Sequence, residues 1–270
     1  MAGAMMMAQM SWHSAETELL SPTNLGADVW IDFSDPTSYT TAGSTITAVT
    51  DKASNFTLTV DGTPTTGTTL NSLATGTFDG NESLISTGTG AYADSGNHYA
   101  VGIFQWASTT STRDSFWSAD AGRTYAVSSG NSSNSWPGEI DYDGSNIIVP
   151  GVAKQVFTTP VSQNTWTMVS TSFNKTGAQI FGRINGSTAT AGDVYGNDMT
   201  SNADFRLMRN RASVKLSGKA AEFFWVAGPT GTGGTDISNV EKAEGYMAWK
   251  WGLQGNLPVS HPYKNAAPTT

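Results

Sequence analysis

The sequence contains no cysteine among its 270 residues, which excludes disulfide bonds, thiolate metal sites and a cysteine nucleophile. Charged residues make up only 13% of the chain, against about 25% in typical soluble domains. No apolar run approaches the roughly 18 residues that a membrane-spanning helix needs. Basic residues are scarce, because 14 lysines and arginines stand against 22 acidic residues and give a net charge of −8. We therefore expect neither a nucleic acid nor a membrane as a partner.

Several motifs of known catalytic and metal sites are also missing. The three histidines, His13, His98 and His261, lie far apart and none belongs to an H-E-x-x-H pair, so a histidine metal site is not expected. The sequence has no G-x-S-x-G nucleophile elbow, although this alone leaves a Ser/His/Asp triad open. The Gly-rich stretch 228–234 lacks a following Gly-Lys-Ser/Thr, so we interpret it as the lead into a helix and not as a phosphate cradle. No cofactor is predicted.

Two pairs of acidic residues offer oxygen ligands of the kind that calcium prefers. They are Asp32 with Asp35, and Asp79 with Glu82. Neither pair has the spacing of a defined calcium loop, so the sequence predicts no metal site.

What the chain does contain is a long series of short, β-prone segments. They are separated by clusters of Gly, Asp, Asn and Pro at intervals of about 8–12 residues, which is typical of a two-sheet antiparallel sandwich. The most regular pair, 165–173 and 178–184, is joined by a Gly-containing turn and reads as a hairpin. We find no internal repeat and no linker long enough to divide the chain.

One convincing helix is predicted near the carboxyl end, at about 238–252. Ser238 and Glu241 have the spacing of a capping box at its start. Gly252 and Pro258 supply the stop. Apolar residues fall at helical spacing on one face, which we expect to be buried: Val240, Ala243, Met247 and Trp251.

Four segments resemble the laminin-G-like members of the concanavalin A-like lectin/glucanase superfamily. They are 29–55, with a W-x-D-x-S-D entry and a Gly turn; the FDGNESL stretch at 78–84; the strand pair within 164–187; and 218–263, with GKAAEFFWVAGP, the helix and LPVSHPY. The resemblance implies an all-β, two-sheet antiparallel jelly-roll sandwich with one C-terminal α-helix. Its closing helix looks like those of bacteriophage virion proteins and of proteins secreted by aquatic microbes. The family has no fixed set of ligand residues, so none is carried over.

The motif EIDYD resembles the E-x-D-x-E strand of laminarinase-type retaining glucanases, which share this fold. On a strand, Glu139, Asp141 and Asp143 would lie on one face, and a retaining glycosidase needs two carboxyl groups about 5 Å apart. The third carboxyl is an Asp where that family has Glu, and Asp143-Gly144 is a strong turn pair. We therefore expect no enzyme, and a laminarinase-type glycoside hydrolase is the third hypothesis.

Trp136, just upstream in a Trp-Pro-Gly sequence, is a better candidate for recognition than for catalysis. An indole on a loop can stack on a sugar face while nearby carboxylates bind hydroxyl groups. The candidate ligand-binding residues are Trp136, Glu139, Asp141 and Asp143. The alternative is a tryptophan that packs on the edge of the sandwich.

The leading functional hypothesis is a non-enzymatic structural protein of a tailed-phage virion, placed on the capsid or the tail. We expect an N-terminal arm at 1–23, the sandwich at 24–263 and a short tail at 264–270. The arm has no positive residue before its apolar stretch, which Gln9 interrupts, so it lacks the pattern of a secretory signal. Its flexible methionines suit packing on other virion subunits, as a homo-oligomer or on a capsid or tail protein: Met5, Met6, Met7 and Met10. The second hypothesis is an extracellular or virion-borne adhesin that binds a cell-surface glycan.

Overall fold

The structure, a computed structural model, describes twelve ranges of the chain. They are 20–87, 98–108, 115–120, 124–129, 138–142, 154–155, 162–174, 179–187, 190–193, 204–209, 215–227 and 237–270. Residues 1–19 of the N-terminal arm, with Met5, Met6, Met7 and Met10, lie outside them, as do Trp136 and Asp143.

Seventeen strands and one α-helix make up the described fold. In chain order the strands are β1 (Val29–Asp32), β2 (Tyr39–Ala42), β3 (Thr45–Thr50), β4 (Thr57–Asp61), β5 (Thr65–Leu70), β6 (Leu73–Asp79), β7 (Ser83–Thr87), β8 (His98–Ser108), β9 (Ser115–Asp120), β10 (Thr124–Ser129), β11 (Gly138–Tyr142), β12 (Lys154–Gln155), β13 (Trp166–Asn174), β14 (Gln179–Ile184), β15 (Thr190–Asp193), β16 (Asp204–Leu207) and β17 (Ser217–Ala227). The helix is α1 (Ser238–Lys250), and a short 3₁₀ turn follows at Gln254–Asn256.

The strands form two antiparallel sheets packed face to face. The first runs β15-β14-β13-β8-β17, and β17 continues to β1 along one half and to β6 along the other. The second runs β2-β3-β4-β7-β16-β9-β10-β11-β12. The hairpin β5–β6 links the two, because Thr65 pairs with both Thr45 and Thr77. This is the expected all-β jelly-roll sandwich with a C-terminal helix, and the expected hairpin is β13–β14.

The first sheet is buried on both faces, which explains the long apolar runs of β8 and β17. Between the sheets, aromatic rings from β8, β9, β16 and β17 stack on one another: Phe104, Phe116, Trp117, Phe205 and Phe223. The opposite face carries Tyr99, Val101 and Phe224, and α1 packs on it. A β-carbon at Gly102 would lie 2.3 Å from the Phe104 ring, so the ring crosses the strand where only glycine fits.

Helix α1 packs through the predicted face and ends as predicted. Val240, Ala243, Met247 and Trp251 are at most 1% exposed. Gly252 takes a left-handed φ of 71°, and the Leu253 N–H donates to the Ala248 carbonyl at 2.7 Å, which is the bond of a Schellman cap.

The start of the helix differs from the sequence prediction. The N-cap position is occupied by Ile237, which has no side-chain capping bond, and Ser238 is already the first helical residue. The capping-box prediction is therefore wrong by one position. The Glu241 carboxylate lies 3.5 Å from the Arg183 guanidinium. A tertiary ion pair thus engages the carboxylate that the box would have used.

Candidate functional site

Two of the four predicted ligand-binding residues lie in the described part of the chain. Glu139 and Asp141 are two residues apart on β11, so their positions share one face of the sheet. Their cross-strand partners on β10 are Ser128 and Ala126. On the other side of β11, Glu139 pairs with Gln155 of β12, which places Glu139 between two strands of the second sheet.

The pairing register shows on which face of the second sheet these positions lie. Asp141 belongs to a cross-strand row that crosses five further strands: Ala126, Ser118, Arg206, Ile85 and Thr59. The adjacent row contains Trp117, Leu207 and Leu84, which are buried in the core between the sheets. Because successive residues of a strand face opposite ways, the row of Asp141 lies on the outer face of the second sheet.

A second polar site, which sequence reasoning missed, lies under the C-terminal end of α1. Its centre is Glu222 on β17, which is 0% exposed. Glu222 Oε1 accepts from Trp30 Nε1 at 2.7 Å and from the Tyr246 hydroxyl at 2.9 Å. Oε2 accepts from Trp251 Nε1 at 2.7 Å and lies 2.8 Å from Lys250 Nζ. All of its acceptor sites are therefore used by the protein itself.

Asp32 on β1, the register partner of Glu222, extends this site. Its Oδ2 lies 2.9 Å from Lys250 Nζ and 3.2 Å from Lys52 Nζ. Its Oδ1 accepts from the Ser34 N–H and hydroxyl. We call the whole set the Glu222 cluster; its members are Trp30, Asp32, Lys52, Glu222, Tyr246, Lys250 and Trp251.

The two carboxyl groups of the Glu222 cluster have opposite electrostatic character. Burial raises the pKa of Glu222 above its ordinary value, although Lys250 opposes this. Burial also disfavours the ionised form of Asp32, but the charge of Lys250 and hydrogen bonds from Lys250 and Ser34 hold its pKa below 3.8. Burial beside Glu222 raises the pKa of the Tyr246 hydroxyl.

A third polar site, the Glu244 cluster, is formed by Ser170, Arg183, Glu244 and His261. Glu244 is 0% exposed on α1. Its Oε1 accepts from the Ser170 hydroxyl and, at 2.8 Å, from Arg183 Nε, and its Oε2 lies 3.0 Å from His261 Nε2. The Tyr263 N–H donates to His261 Nδ1, so Nε2 carries the ring proton and donates to Glu244.

Serine, histidine and a carboxylate meet in this cluster, but not in the order of a catalytic triad. The carboxylate lies between the serine and the histidine, whereas a triad needs the histidine next to the serine. His261 and Glu244 are also fully buried side chains. The Glu244 cluster holds the helix on β13 and β14 and offers no nucleophile to a substrate.

The acidic pairs considered for calcium are occupied by the protein's own groups. Lys52 Nζ lies 2.7 Å from Asp35 and 3.2 Å from Asp32, so a lysine ammonium takes the place of a cation there. The Glu82 carboxylate accepts from the Asp79 N–H at 2.5 Å. Within the described ranges, no group of three or more potential metal ligands occurs.

Of the remaining histidines, His98 is buried and stacks on the Trp225 indole with 4.4 Å between ring centroids. Burial lowers its pKa to about 3, which keeps the ring neutral. Across the described part of the chain, no helix has the length and apolarity that crossing a bilayer requires.

Comparison with known proteins identifies the fold but no family. No protein-family model matches the sequence, and no curated protein is similar to it. Similar folds occur among solved structures, which share the jelly-roll sandwich.

Three solved structures illustrate this likeness. Domain 4 of a GH43 extracellular arabinanase from Geobacillus stearothermophilus, in complex with arabinotriose, has a TM-score of 0.55 and 15% identity, over 75% of this chain and 92% of that domain. The binding domain of botulinum neurotoxin serotype G has a TM-score of 0.52 and 12% identity, over 83% of this chain and 51% of that one. Trypanosoma rangeli sialidase with sialic acid has a TM-score of 0.52 and 11% identity, over 82% and 33% respectively.

Proposed function

We propose that this chain is a non-catalytic, lectin-like domain that binds glycans on the outer face of its second sheet. The main support is the likeness to an arabinanase domain that was solved with arabinotriose, because the match spans 92% of that domain. A domain of similar fold is thus found in complex with an oligosaccharide. Carboxylates accept hydrogen bonds from sugar hydroxyl groups, and the candidates on β11 are Glu139 and Asp141.

The buried carboxylates support binding over catalysis. Glu222 and Glu244 are saturated by donors from the protein, and both are 0% exposed. The third carboxyl of the glucanase-like pattern is an Asp where that family has Glu. We propose that the chain is not a glycoside hydrolase. Release of reducing sugar from laminarin or agarose that disappears in Glu139→Gln would refute this.

The binding proposal is tested with an array of arabinan, sialylated and other oligosaccharides, followed by calorimetry on the best ligand. We expect the double variant Glu139→Gln, Asp141→Asn to lower affinity at least tenfold, and Trp136→Ala to do the same. Trp166→Phe is the matched control, because Trp166 is a half-buried residue of the helix-side core. If no glycan binds, or if the control loses as much affinity as the variants, the binding face is not the one proposed.

The finer proposal is that this domain is carried on the virion of a tailed phage; an extracellular adhesin is the alternative. Its support is the order of the laminin-G-like segments and the closing helix in the sequence. Quantitative mass spectrometry of purified particles tests it. A fixed copy number per particle is expected, and absence from particles excludes the virion role without affecting glycan binding.

If the chain is a virion protein, we further propose that the arm at 1–23 anchors it to neighbouring subunits. A chain that lacks residues 2–19 should then fold but fail to enter particles. Incorporation at full occupancy would show that the contact comes from the sandwich. The full-length chain and the Met5→Ser, Met6→Ser, Met7→Ser variant serve as controls for expression level and for the role of the methionines.

A further inference from the structure

The Glu222 cluster contains an amine and two carboxyl groups in mutual contact. Lys250 Nζ lies 2.9 Å from Asp32 Oδ2 and 2.8 Å from Glu222 Oε2. Asp32 is 3% exposed and Glu222 is 0% exposed. Aromatic rings line the ammonium, with Nζ 5.6 Å from the Tyr246 ring centroid and 5.4 Å from that of Trp251. A nucleophile, an acyl group and a proton acceptor are thus held together, with the two carboxyl groups buried and the Lys250 side chain 21% exposed.

The donors around Asp32 are arranged to activate its carboxyl carbon. Ser34 donates to Oδ1 through its N–H at 2.9 Å and its hydroxyl at 2.6 Å. Lys52 donates to Oδ2 at 3.2 Å. Fixed donors of this kind stabilise the oxyanion that forms when a nucleophile adds to an acyl carbon. The Asp32 carboxyl group is therefore placed as an electrophile, with Oδ1 as the stabilised oxygen and Oδ2 as the leaving oxygen.

We infer that Lys250 and Asp32 become joined by an isopeptide bond inside the folded chain, with Glu222 as the catalytic proton carrier. Glu222 takes one proton from the Lys250 ammonium and passes it to Oδ2 of Asp32, and the neutral amine adds to Cγ of the protonated carboxyl group. The C–Oδ2 bond then breaks, and this oxygen leaves as water after Glu222 has carried a second proton to it from the amine nitrogen. One ammonium and one carboxylate give one amide and one water, and no oxidant or co-reactant is needed.

One contact favours Lys250 over Lys52 as the nucleophile, and two further features favour the reaction itself. Lys250 contacts both carboxyl groups, whereas the shortest ion pair of Lys52 is with Asp35, at 2.7 Å. Burial raises the pKa of Glu222, which brings its basicity closer to that of the amine it must deprotonate. Holding the reacting groups in contact also removes the entropic cost of bringing them together.

After the amide has formed, the remaining groups of the Glu222 cluster still satisfy the Glu222 carboxyl group. Loss of the Lys250 and Asp32 charges leaves Glu222 with donors from Trp30, Tyr246 and Trp251. The bond would tie β1 to the last residue of α1, 218 positions away. In a chain without cysteine, this amide would be a covalent brace of the kind that disulfides provide elsewhere.

Intact-mass spectrometry of the denatured full-length chain tests the inference directly. The wild-type chain should be lighter than its sequence mass by one water molecule. Lys250→Arg, Asp32→Ala and Glu222→Gln should each show the sequence mass of the variant. Lys242→Arg, on the same helix but outside the cluster, is the matched control. It should be lighter than its own sequence mass by one water molecule, as the wild-type chain is.

Peptide mapping locates the bond. A branched peptide that joins the segment containing Asp32 to the segment containing Lys250 is expected, with no trypsin cleavage after Lys250. If the wild-type chain has its full sequence mass, the inference is overturned. This measurement does not depend on the folding of any variant. A branch at Lys52 would overturn the choice of nucleophile, and a deficit that persists in Glu222→Gln would overturn the role of Glu222.

Discussion

At the scale of single residues, Trp251 has two tasks at the end of the helix. Its ring is fully buried in the helix-side core, and its indole N–H donates to Glu222 at 2.7 Å. We expect Trp251→Ala to lower the free energy of unfolding by about 3–5 kcal/mol, through lost transfer energy and the cavity that remains. Urea denaturation followed by fluorescence measures the loss.

The control for this variant is Val259→Ala, because Val259 is 92% exposed. It should change the free energy of unfolding by no more than about 0.5 kcal/mol. Near-normal stability of Trp251→Ala would mean that the helix does not depend on this contact.

The burial of His98 predicts how the free energy of unfolding depends on pH. Its pKa is lowered from 6.5 to about 3 by burial, so between these values the unfolded chain binds a proton that the folded chain does not. The free energy of unfolding should therefore fall as the pH drops below 6.5, by about 1.4 kcal/mol per pH unit from this group, and this contribution should be flat above pH 7. Other groups titrate near pH 4, so the difference between wild type and His98→Phe isolates the effect. Parallel curves for the two chains from pH 7 to pH 5 would contradict the prediction.

At the scale of elements, the turn between β5 and β6 caps the end of α1. Asn71 and Ser72 both have positive φ, 50° and 63°, as a two-residue hairpin turn requires. Asn71 Nδ2 donates to the Lys250 carbonyl at 3.1 Å, one of the carbonyl groups that a helix leaves unpaired at its end.

The turn predicts different costs for two substitutions of Asn71. Asn71→Gly keeps the left-handed conformation and loses only the hydrogen bond, so it should cost about 1 kcal/mol of stability. Asn71→Ala loses the bond and is also strained at positive φ, and should cost about 1 kcal/mol more. Equal stabilities of the two variants in thermal or urea unfolding would show that the cap, and not the backbone conformation, decides.

The elements also show what the sequence could and could not predict. The buried face of α1 follows from local spacing, and so does its left-handed stop at Gly252, because each depends on residues within a few positions. The Glu222 cluster could not be found in this way, since its members come from β1, the turn after β3, β17 and α1. The only local signal is a single carboxylate within the apolar run KAAEFFWVA. The helix begins at Ser238 as predicted, but Ser238 is not its cap. The Glu241 side chain lies 3.5 Å from Arg183, a contact that no local rule contains.

At the scale of the whole molecule, sequence patterning predicts the two-sheet sandwich. It does not predict what covers each face of each sheet. The alternation of short strands predicts a sandwich, and the continuous apolar runs of β8 and β17 agree with a sheet covered on both sides. Helix α1 covers one of those sides, and the Glu222 and Glu244 clusters link it to the sheet there. The placement of the positions of Glu139 and Asp141 on the outer face of the second sheet follows only from the pairing register of six strands.

Contacts near the two ends of the described chain determine how many N-terminal residues can be removed without loss of stability. The Leu20 N–H donates to the Pro268 carbonyl at 3.1 Å, and Leu20 is 7% exposed, so the contacts of the fold begin before Leu25, where sequence patterning places the first strand. A chain that lacks residues 2–19 should unfold at the same urea concentration as the full chain. A chain that lacks residues 2–23 also loses Leu20 and the buried Pro22, and it should lose about 1–3 kcal/mol through the exposed apolar surface and the missing hydrogen bond. If the shorter deletion already destabilises the chain, residues of the arm pack on the sandwich itself, and the anchoring role proposed for them would have to be shared with folding.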